Sequence, residues 1–420
     1  MENKELRIKY LLIFVLLLTG CSVKTPPVGK KVIPDEDNYI IKALVYESNN
    51  ELSKAAELYK FLYDKTKKPV YYQKMIEDLF YLRKYKQVLK LCDKYLDERF
   101  DKDIFKYKIL VLLEMHKDAE AKKELLSKLN KKNEFFYKIM TYIYIKEKNY
   151  KRAAEYLKSL YALNHNKNIL LQLVDVLIKI KKYNEALAYL RTHLDLYGCE
   201  YDICSRLAII YKQTYDYNNL ALIYEKMSKF DQKYLIFAFS IYLDNGEYEK
   251  ALKLVKKHNL GDEYKLFVYE KEKNYKKAAA VAYHLYEQSA KLSYLMKYCI
   301  YEYEAFHNKK TVEKIIPKVK YILKIYPNAY LYNFIGYLMI DYDINYKEGL
   351  KYVQKAVELD PQNEEYIDSL AWGYYKLHKC KEAWEIIKGV KLKDKEILMH
   401  KRLIEKCLKD RVKKGKKRKR

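Results

Sequence analysis

The sequence predicts an all-α fold, a superhelical solenoid of about eleven helix-turn-helix pairs closed by one C-terminal helix. Three observations carry that expectation. Gly 10 and Pro 7 in 420 residues are far below average usage, which favours long uninterrupted helices over a turn-rich β architecture. Half of the residues are hydrophobic and a third charged, enough for every helix to have one face to bury and one to solvate. Finally, a Tyr-x-x-Ala step after a short polar stretch recurs: KNYKRAA at Tyr150 and Ala153, KKYNEAL at Tyr183 and Ala186, GEYEKAL at Tyr248 and Ala251, KNYKKAA at Tyr275 and Ala278. The intervals, 33, 65 and 27 residues, lie near one or two multiples of roughly 33 residues, the length of one helix pair.

In chain order, residues 1–20 have the shape of a signal peptide. Lys4, Arg7 and Lys9 outweigh Glu2 and Glu5, and the apolar run from Tyr10 to Leu18 is about half the ~20 residues that span a bilayer. The run ends in Leu18, Thr19, Gly20 and Cys21, which resemble the lipobox of bacterial lipoproteins. That resemblance implies that Cys21 is lipid-modified and becomes the first residue of the mature chain, anchoring it to a membrane through more than one acyl chain. Ser22 rather than Asp after the cysteine implies, by the same resemblance, the outer membrane of a Gram-negative bacterium, with the chain facing the periplasm. Residues 21–37 carry Pro26, Pro27, Gly29 and Pro34 and almost no apolar periodicity, as expected of an extended tether.

The solenoid is expected over 38–393, with units starting near Tyr39, Tyr71, Asp103, Glu134, Lys167, Tyr201, Lys233, Asp262, Lys291, Ala329 and Glu364. Each Tyr-x-x-Ala step opens the second helix of a pair: the small residue lets two helices approach, and the aromatic three residues earlier packs over the turn. The unit from Lys233 to Gly261 is shorter than the others. A charged amphipathic helix over 394–411 would cap the last apolar face, which a solenoid needs to stay soluble. A basic tail, 412–420, follows.

The stretch NFIGYLMIDYDINYKEGLKYVQKAVELDPQNEEYIDSLAWGYYKLHKCKEAWEIIKGV resembles the tetratricopeptide repeat. Gly336 stands at the first-helix glycine, Gly349 at the second-helix alanine, Ala356 at the next small site and Pro361 at the end of the repeat; Leu370, Ala371, Tyr374 and Ala383 match the following unit. One extra residue separates Gly336 from Gly349, and Gly349 and Ala371 exchange the usual alanine and glycine. The resemblance implies a protein-binding solenoid whose first helices line the concave face. On that face we expect Lys138 and Tyr142 in a middle unit, Asn333 and Tyr337 in the next to last, and Asp368, Trp372 and Tyr375 in the last. Aromatic rings beside amide and charged groups suit an extended peptide or a partner helix. The Lys and Asn set with which such domains clamp a C-terminal carboxylate is absent.

Nothing in the sequence assembles a catalytic site. There is no P-loop, no paired-glycine phosphate cradle, no HExxH and no GxSxG, and His116, His165, His284 and His378 are scattered, so no enzyme, metal or cofactor is expected. Asp341, Asp343 and Asn345 resemble the start of a calcium loop, but Tyr346 and Tyr352 stand where its glycine and bidentate glutamate belong, leaving a polar turn. Cys199 and Cys204 are spaced closely enough for a bridge in an oxidising compartment, though the spacing leaves the choice open; Cys92, Cys299, Cys380 and Cys407 read as core thiols.

The net charge of +27 and the 48 tyrosines fit AT-rich codon usage as well as a partner. The tail carries Lys413, Lys414, Lys416, Lys417, Arg418, Lys419 and Arg420. Outside the cytoplasm its targets would be lipopolysaccharide or anionic lipid rather than nucleic acid. The expectation is thus a non-catalytic outer-membrane lipoprotein that scaffolds an envelope protein or peptide, in envelope assembly, secretion or pilus formation, or regulation of peptidoglycan enzymes. The alternative is a binder of polyanion or glycan, lipopolysaccharide or peptidoglycan, through the basic surface.

Overall fold

A computed structural model of the chain describes residues 33–129 and 132–417. The expected signal segment, Cys21, most of the tether and the terminal Arg418, Lys419 and Arg420 lie outside the described residues. Among the described residues there are 23 helices and no strand, and no helix is long and apolar enough to cross a membrane. Their number is that of the eleven pairs and single last helix that the repeat spacing predicts. They form two compact units that divide between Tyr215 and Asp216.

The first unit holds α1 (Glu36–Ser48), α2 (Leu52–Thr66), α3 (Pro69–Tyr81), α4 (Tyr85–Glu98), α5 (Lys102–Glu114), α6 (Asp118–Lys128), α7 (Glu134–Lys146), α8 (Tyr150–Asn164), α9 (Lys167–Lys179), α10 (Tyr183–Tyr197) and α11 (Tyr201–Gln213). The second holds α12 (Tyr217–Met227), α13 (Lys233–Asp244), α14 (Tyr248–Lys257), α15 (Asp262–Lys271), α16 (Tyr275–Ser289), α17 (Leu292–Phe306), α18 (Lys309–Ile325), α19 (Ala329–Asp341), α20 (Tyr346–Leu359), α21 (Glu364–Lys376), α22 (Cys380–Ile387) and α23 (Lys395–Lys417). The short unit read between Lys233 and Gly261 owes its length to α14, which has 10 residues.

The polar stretch before each Tyr-x-x-Ala step is a helix stop and start in three residues. In KNYKRAA, Lys148 takes the left-handed conformation at φ 58°. The amide of Asn149 reaches back to the carbonyl of Tyr144 at 2.8 Å, the bond that closes a helix C-terminus around such a residue. The Asn149 side chain then accepts from the Arg152 amide as N-cap of α8, satisfying one of the orphan donors of the new helix. KNYKKAA repeats the arrangement with Lys273 at φ 57°, Asn274 bonded to the Tyr269 carbonyl at 2.9 Å and capping α16. The alanines of the step, Ala153, Ala186, Ala251 and Ala278, are all completely buried.

The α19–α20 pair carries this close approach furthest. A Cβ on Gly336 would lie 2.7 Å from the carbonyl oxygen of Gly349, and a Cβ on Gly349 would lie 2.8 Å from that of Gly336. Each glycine therefore makes room for the other's backbone, which cannot swing aside as a flexible side chain could. The exchange of alanine for Gly349 follows from this contact: here both helices, not one, present bare backbone.

The core of the first unit begins with Ala43, Ala55, Tyr59, Leu62, Tyr71 and Ile76 and continues through Ile104, Phe105, Ile109 and Leu125 to Ile139 and Ile143. One carboxylate intrudes on it. Asp78 on α3 is buried, its Oδ2 has no hydrogen-bond partner, and burial, reinforced by the nearby charge of Glu47, pushes its carboxyl up from 3.8 to about 7. At the helix start Glu36 is satisfied differently, accepting from Lys68 at 2.6 Å and from the hydroxyl of Tyr71.

Two predictions follow from these contacts. Gly336→Ala should destabilise the second unit by about 2 kcal/mol, the usual cost of overpacking, with hydrogen exchange accelerated in α19 and α20 while α1 to α11 keep their protection; uniform loss across the chain would contradict stacking by neighbours. Because the folded state holds a proton on Asp78 that the unfolded state has released, the stabilising contribution is complete below pH 4 and is lost as pH rises through about 7. Urea denaturation of the first unit between pH 4 and 8 should therefore show falling stability that Asp78→Asn flattens, and an unchanged slope in that variant would refute the assignment.

Candidate protein-binding face

The face expected to bind a partner is formed by the first helices of each pair. Lys138 and Tyr142 sit on α7 of the first unit, one turn apart. Lys138 pairs with Glu134 at 2.7 Å, and the half-buried Tyr142 ring lies under Lys146 at 5.9 Å. The other five expected residues belong to the second unit, where α19 and α21 pack side by side and bring Tyr337 and Tyr375 against the cluster that holds Trp372, with Asn333 one turn before Tyr337 on α19 and Asp368 one turn before Trp372 on α21.

That group is not open to solvent as the repeat pattern implies. The last helix, α23, returns over it after the linker 388–394 and packs against both α21 and α22. Asp368 and Trp372 are buried at 4% and 6% exposure. His400, completely buried, stacks on the Trp372 indole at 3.9 Å between ring centroids and pairs through Nδ1 with Asp368 Oδ2 at 2.9 Å. Tyr375 also stacks with Trp372, at 4.9 Å. Trp372 Nε1 donates to Asp341 at 3.1 Å, and the Tyr337 hydroxyl donates to Glu396. Burial and that carboxylate both hold the Tyr337 phenol well above its ordinary pKa.

Around this polar centre the helix is fixed by apolar contacts. Ile397 and Ile404 join Ala371, Ala383, Ile387 and Val390, and Leu403 packs on the cluster of Ile340, Val353 and Trp372. The linker is held as well, the amides of Lys391 and Leu392 donating to the Glu364 carboxylate at 3.1 and 2.6 Å. Cys380 at the start of α22 is disulfide-bonded to Cys407 on α23, so the reading of these two as separate core thiols is corrected: each faces the other across the helix pair. Cys199 and Cys204 are also bonded to each other. Cys92 and Cys299 are buried free thiols, pushed up to about 12 by burial.

The calcium-like triplet is a turn whose groups are already engaged. Asp341 accepts from Trp372, Asp343 pairs with Lys376 at 2.8 Å, and Asn345 caps α20. Among the described residues no group of three or more His, Cys, Asp and Glu side chains could hold a metal ion. The basic tail begins inside α23, whose backbone helix runs on through Lys413, Lys414 and Lys416 to Lys417.

A feature that periodicity did not flag lies elsewhere on the first-helix face. Between α13 and α15 a cleft of about 610 Å³ is lined by Ile236, Phe239, Leu243, Tyr264 and Phe267, with Phe267 half exposed. Phe267 and Ile236 are ordinary helix residues in the sequence, and only the placement of α13 beside α15 turns them towards one opening.

The profile of the tetratricopeptide repeat family matches residues 144–197, the last three residues of α7 and the whole of α8, α9 and α10. No curated protein matches the sequence. Among solved structures, a chain of the Naa15/Naa10 complex bound to HypK-THB is 16% identical with a TM-score of 0.39; the match covers 78% of this chain and 64% of that one. Yeast Tom70 is 13% identical with a TM-score of 0.33, covering 90% and 97%. A tetratricopeptide repeat protein from Parabacteroides merdae is 13% identical with a TM-score of 0.26, covering 60% and 99%. Residues 144–197 thus carry the tetratricopeptide repeat.

His400→Ala should leave Asp368 buried without its partner, a loss of roughly 1–3 kcal/mol concentrated in the docking of α23. Limited proteolysis should then cut first near Met399 and Lys401, with α12 to α20 surviving; unchanged resistance in α23 would contradict the role given to the pair.

Proposed function

We propose that this tetratricopeptide-repeat protein is a non-catalytic scaffold that binds another protein along its first helices, from a lipid anchor in the bacterial envelope. The observation that carries the binding function is the open apolar cleft between α13 and α15, with the half-exposed Phe267 at its edge. An apolar opening with an aromatic residue on rigid helices is suited to a protein anchor, since the ring offers contact area at little entropic cost. The envelope location is supported by the Leu18-Thr19-Gly20-Cys21 box and by the two disulfides, which persist in oxidising compartments and are rare in the cytosol. The outer membrane of a Gram-negative bacterium, facing the periplasm, is the site that Ser22 favours.

A second reading has its own observation. The basic end of α23 suits lipopolysaccharide phosphates or anionic headgroups, each Lys or Arg near such a surface contributing on the order of 1 kcal/mol.

Affinity capture from crosslinked envelopes separates the two. A single stoichiometric protein retained through moderate salt, and weakened by ~2 kcal/mol in Phe267→Ala as for other truncated aromatic anchors, is the scaffold result; binding that collapses steeply with salt and ignores Phe267 is the polyanion result. For the anchor, Cys21→Ser should accumulate an unprocessed precursor that takes up no labelled palmitate. A variant cut and labelled like the wild type would remove the lipoprotein assignment.

A further inference from the structure

The face of α19 and α21 is occupied, and its occupant belongs to the same chain. The buried residues of α23 on this face are Ile397, His400 and Ile404, the i, i+3, i+7 spacing of an amphipathic helix lying in a groove. The groove supplies an indole platform at Trp372, a carboxylate at Asp368 and a hydroxyl at Tyr337. These are recognition groups, and an end cap alone would need only apolar ones.

The occupant meets the groove incompletely. His400 uses Nδ1 on Asp368 Oδ2, while Asp368 Oδ1, Asn333 Oδ1 and His400 Nε2 are buried without hydrogen-bond partners. An imidazole facing the carboxylate through one nitrogen serves one oxygen of Asp368. An arginine guanidinium would serve both through its parallel N–H pair and still hold N–H groups for a neighbouring acceptor. Its planar face would also stack on Trp372 as His400 does.

α23 is tied at two places. The linker is pinned to Glu364, and Cys407 is bonded to Cys380, so the helix cannot leave the groove while the disulfide stands. We propose that the groove of Asn333, Tyr337, Asp368 and Trp372 binds an amphipathic helix of another protein, bearing an arginine between two aliphatic residues seven positions apart, and that the Cys380–Cys407 disulfide keeps α23 in its place until a dithiol reductant cleaves it. The proposal rests on the protein-binding function above and names its partner's chemistry. In the cleavage, a reductant thiolate attacks the Sγ of Cys407, the less buried of the two residues, forming a mixed disulfide and expelling Cys380 as thiolate. The second reductant thiol then attacks the reductant's own sulfur in the mixed bond and releases Cys407. Two electrons and two protons pass to the protein, and the dithiol is left as a disulfide.

The test uses the full chain and two fluorescent synthetic peptides spanning residues 394–410, both with Cys407→Ser, one with His400 retained and one with His400→Arg. The groove is opened by Cys407→Ser with Ile404→Asp in the protein. The disulfide-bonded chain should bind neither peptide; the opened chain should bind both, the His400→Arg peptide at least ~5-fold more tightly through its paired hydrogen bonds, and Asp368→Asn in the opened chain should erase that difference. In the wild-type chain dithiothreitol should speed hydrogen exchange over 395–407 by at least ~10-fold by freeing a local opening, leaving α1 to α11 unchanged. Equal affinity for the two peptides, no binding to the opened chain, binding to the disulfide-bonded chain, or exchange indifferent to reduction would each overturn the proposal. If the peptides fail while the disulfide-bonded chain still captures an envelope protein, the groove falls and the scaffold function stands.

Discussion

Bare backbone meeting bare backbone is the constraint on which the stack depends. Where α19 crosses α20, Gly336 and Gly349 each occupy the space that the other's Cβ would need; elsewhere Ala153, Ala186, Ala251 and Ala278 hold the equivalent positions at zero exposure. With the two helices of a pair this close, aliphatic and tyrosine side chains project outward to the neighbouring pairs. No pair can bury that surface alone, so each depends on its neighbours for a core. The faces left over, formed by first helices, are then the surfaces available to another molecule.

At its C-terminal end the second unit departs from simple stacking. An apolar cap would suffice to hide the last hydrophobic surface, but α23 adds a buried His400–Asp368 pair, the stacking of His400 on the Trp372 indole, and a disulfide. Polar groups taken out of water contribute little net stability even when matched. Their presence here is better explained by recognition, because they define which side chain may lie on Trp372 and Asp368. The open cleft at Phe267 and the covered groove at Trp372 therefore represent two conditions of one kind of surface.

Much of the architecture was legible because its signals are local. Lys148, Asn149 and Tyr150 spell a left-handed stop, a side-chain cap and a first helical residue within three positions, and the alanine three residues later marks the crossing. The number of pairs follows from counting such steps. What the periodicity could not convey is where the chain returns after a linker. Trp372 and Asp368 have the spacing of residues on an open first-helix face, and only the course of α23 covers them. The one available signal was His400, which falls on the apolar stripe of Ile397 and Ile404. Cys380 and Cys407, 27 residues apart, each occupy an apolar helical position, so neither one alone betrays its partner; the close pair Cys199 and Cys204 was readable by spacing as a possible bridge because both ends lie in one short loop and helix start.

The covering of the last two pairs by α23 is the point on which the fold, the burial of Trp372 and the state of the partner-binding face converge. Non-reducing digestion followed by mass spectrometry of the protein folded under oxidising conditions tests it most directly. The account predicts one crosslinked peptide pair joining Cys380 to Cys407, a bridge within the peptide of Cys199 and Cys204, and Cys92 and Cys299 alkylated only after unfolding. Free Cys380 and Cys407 in the folded protein, or either one bonded to a different cysteine, would contradict it.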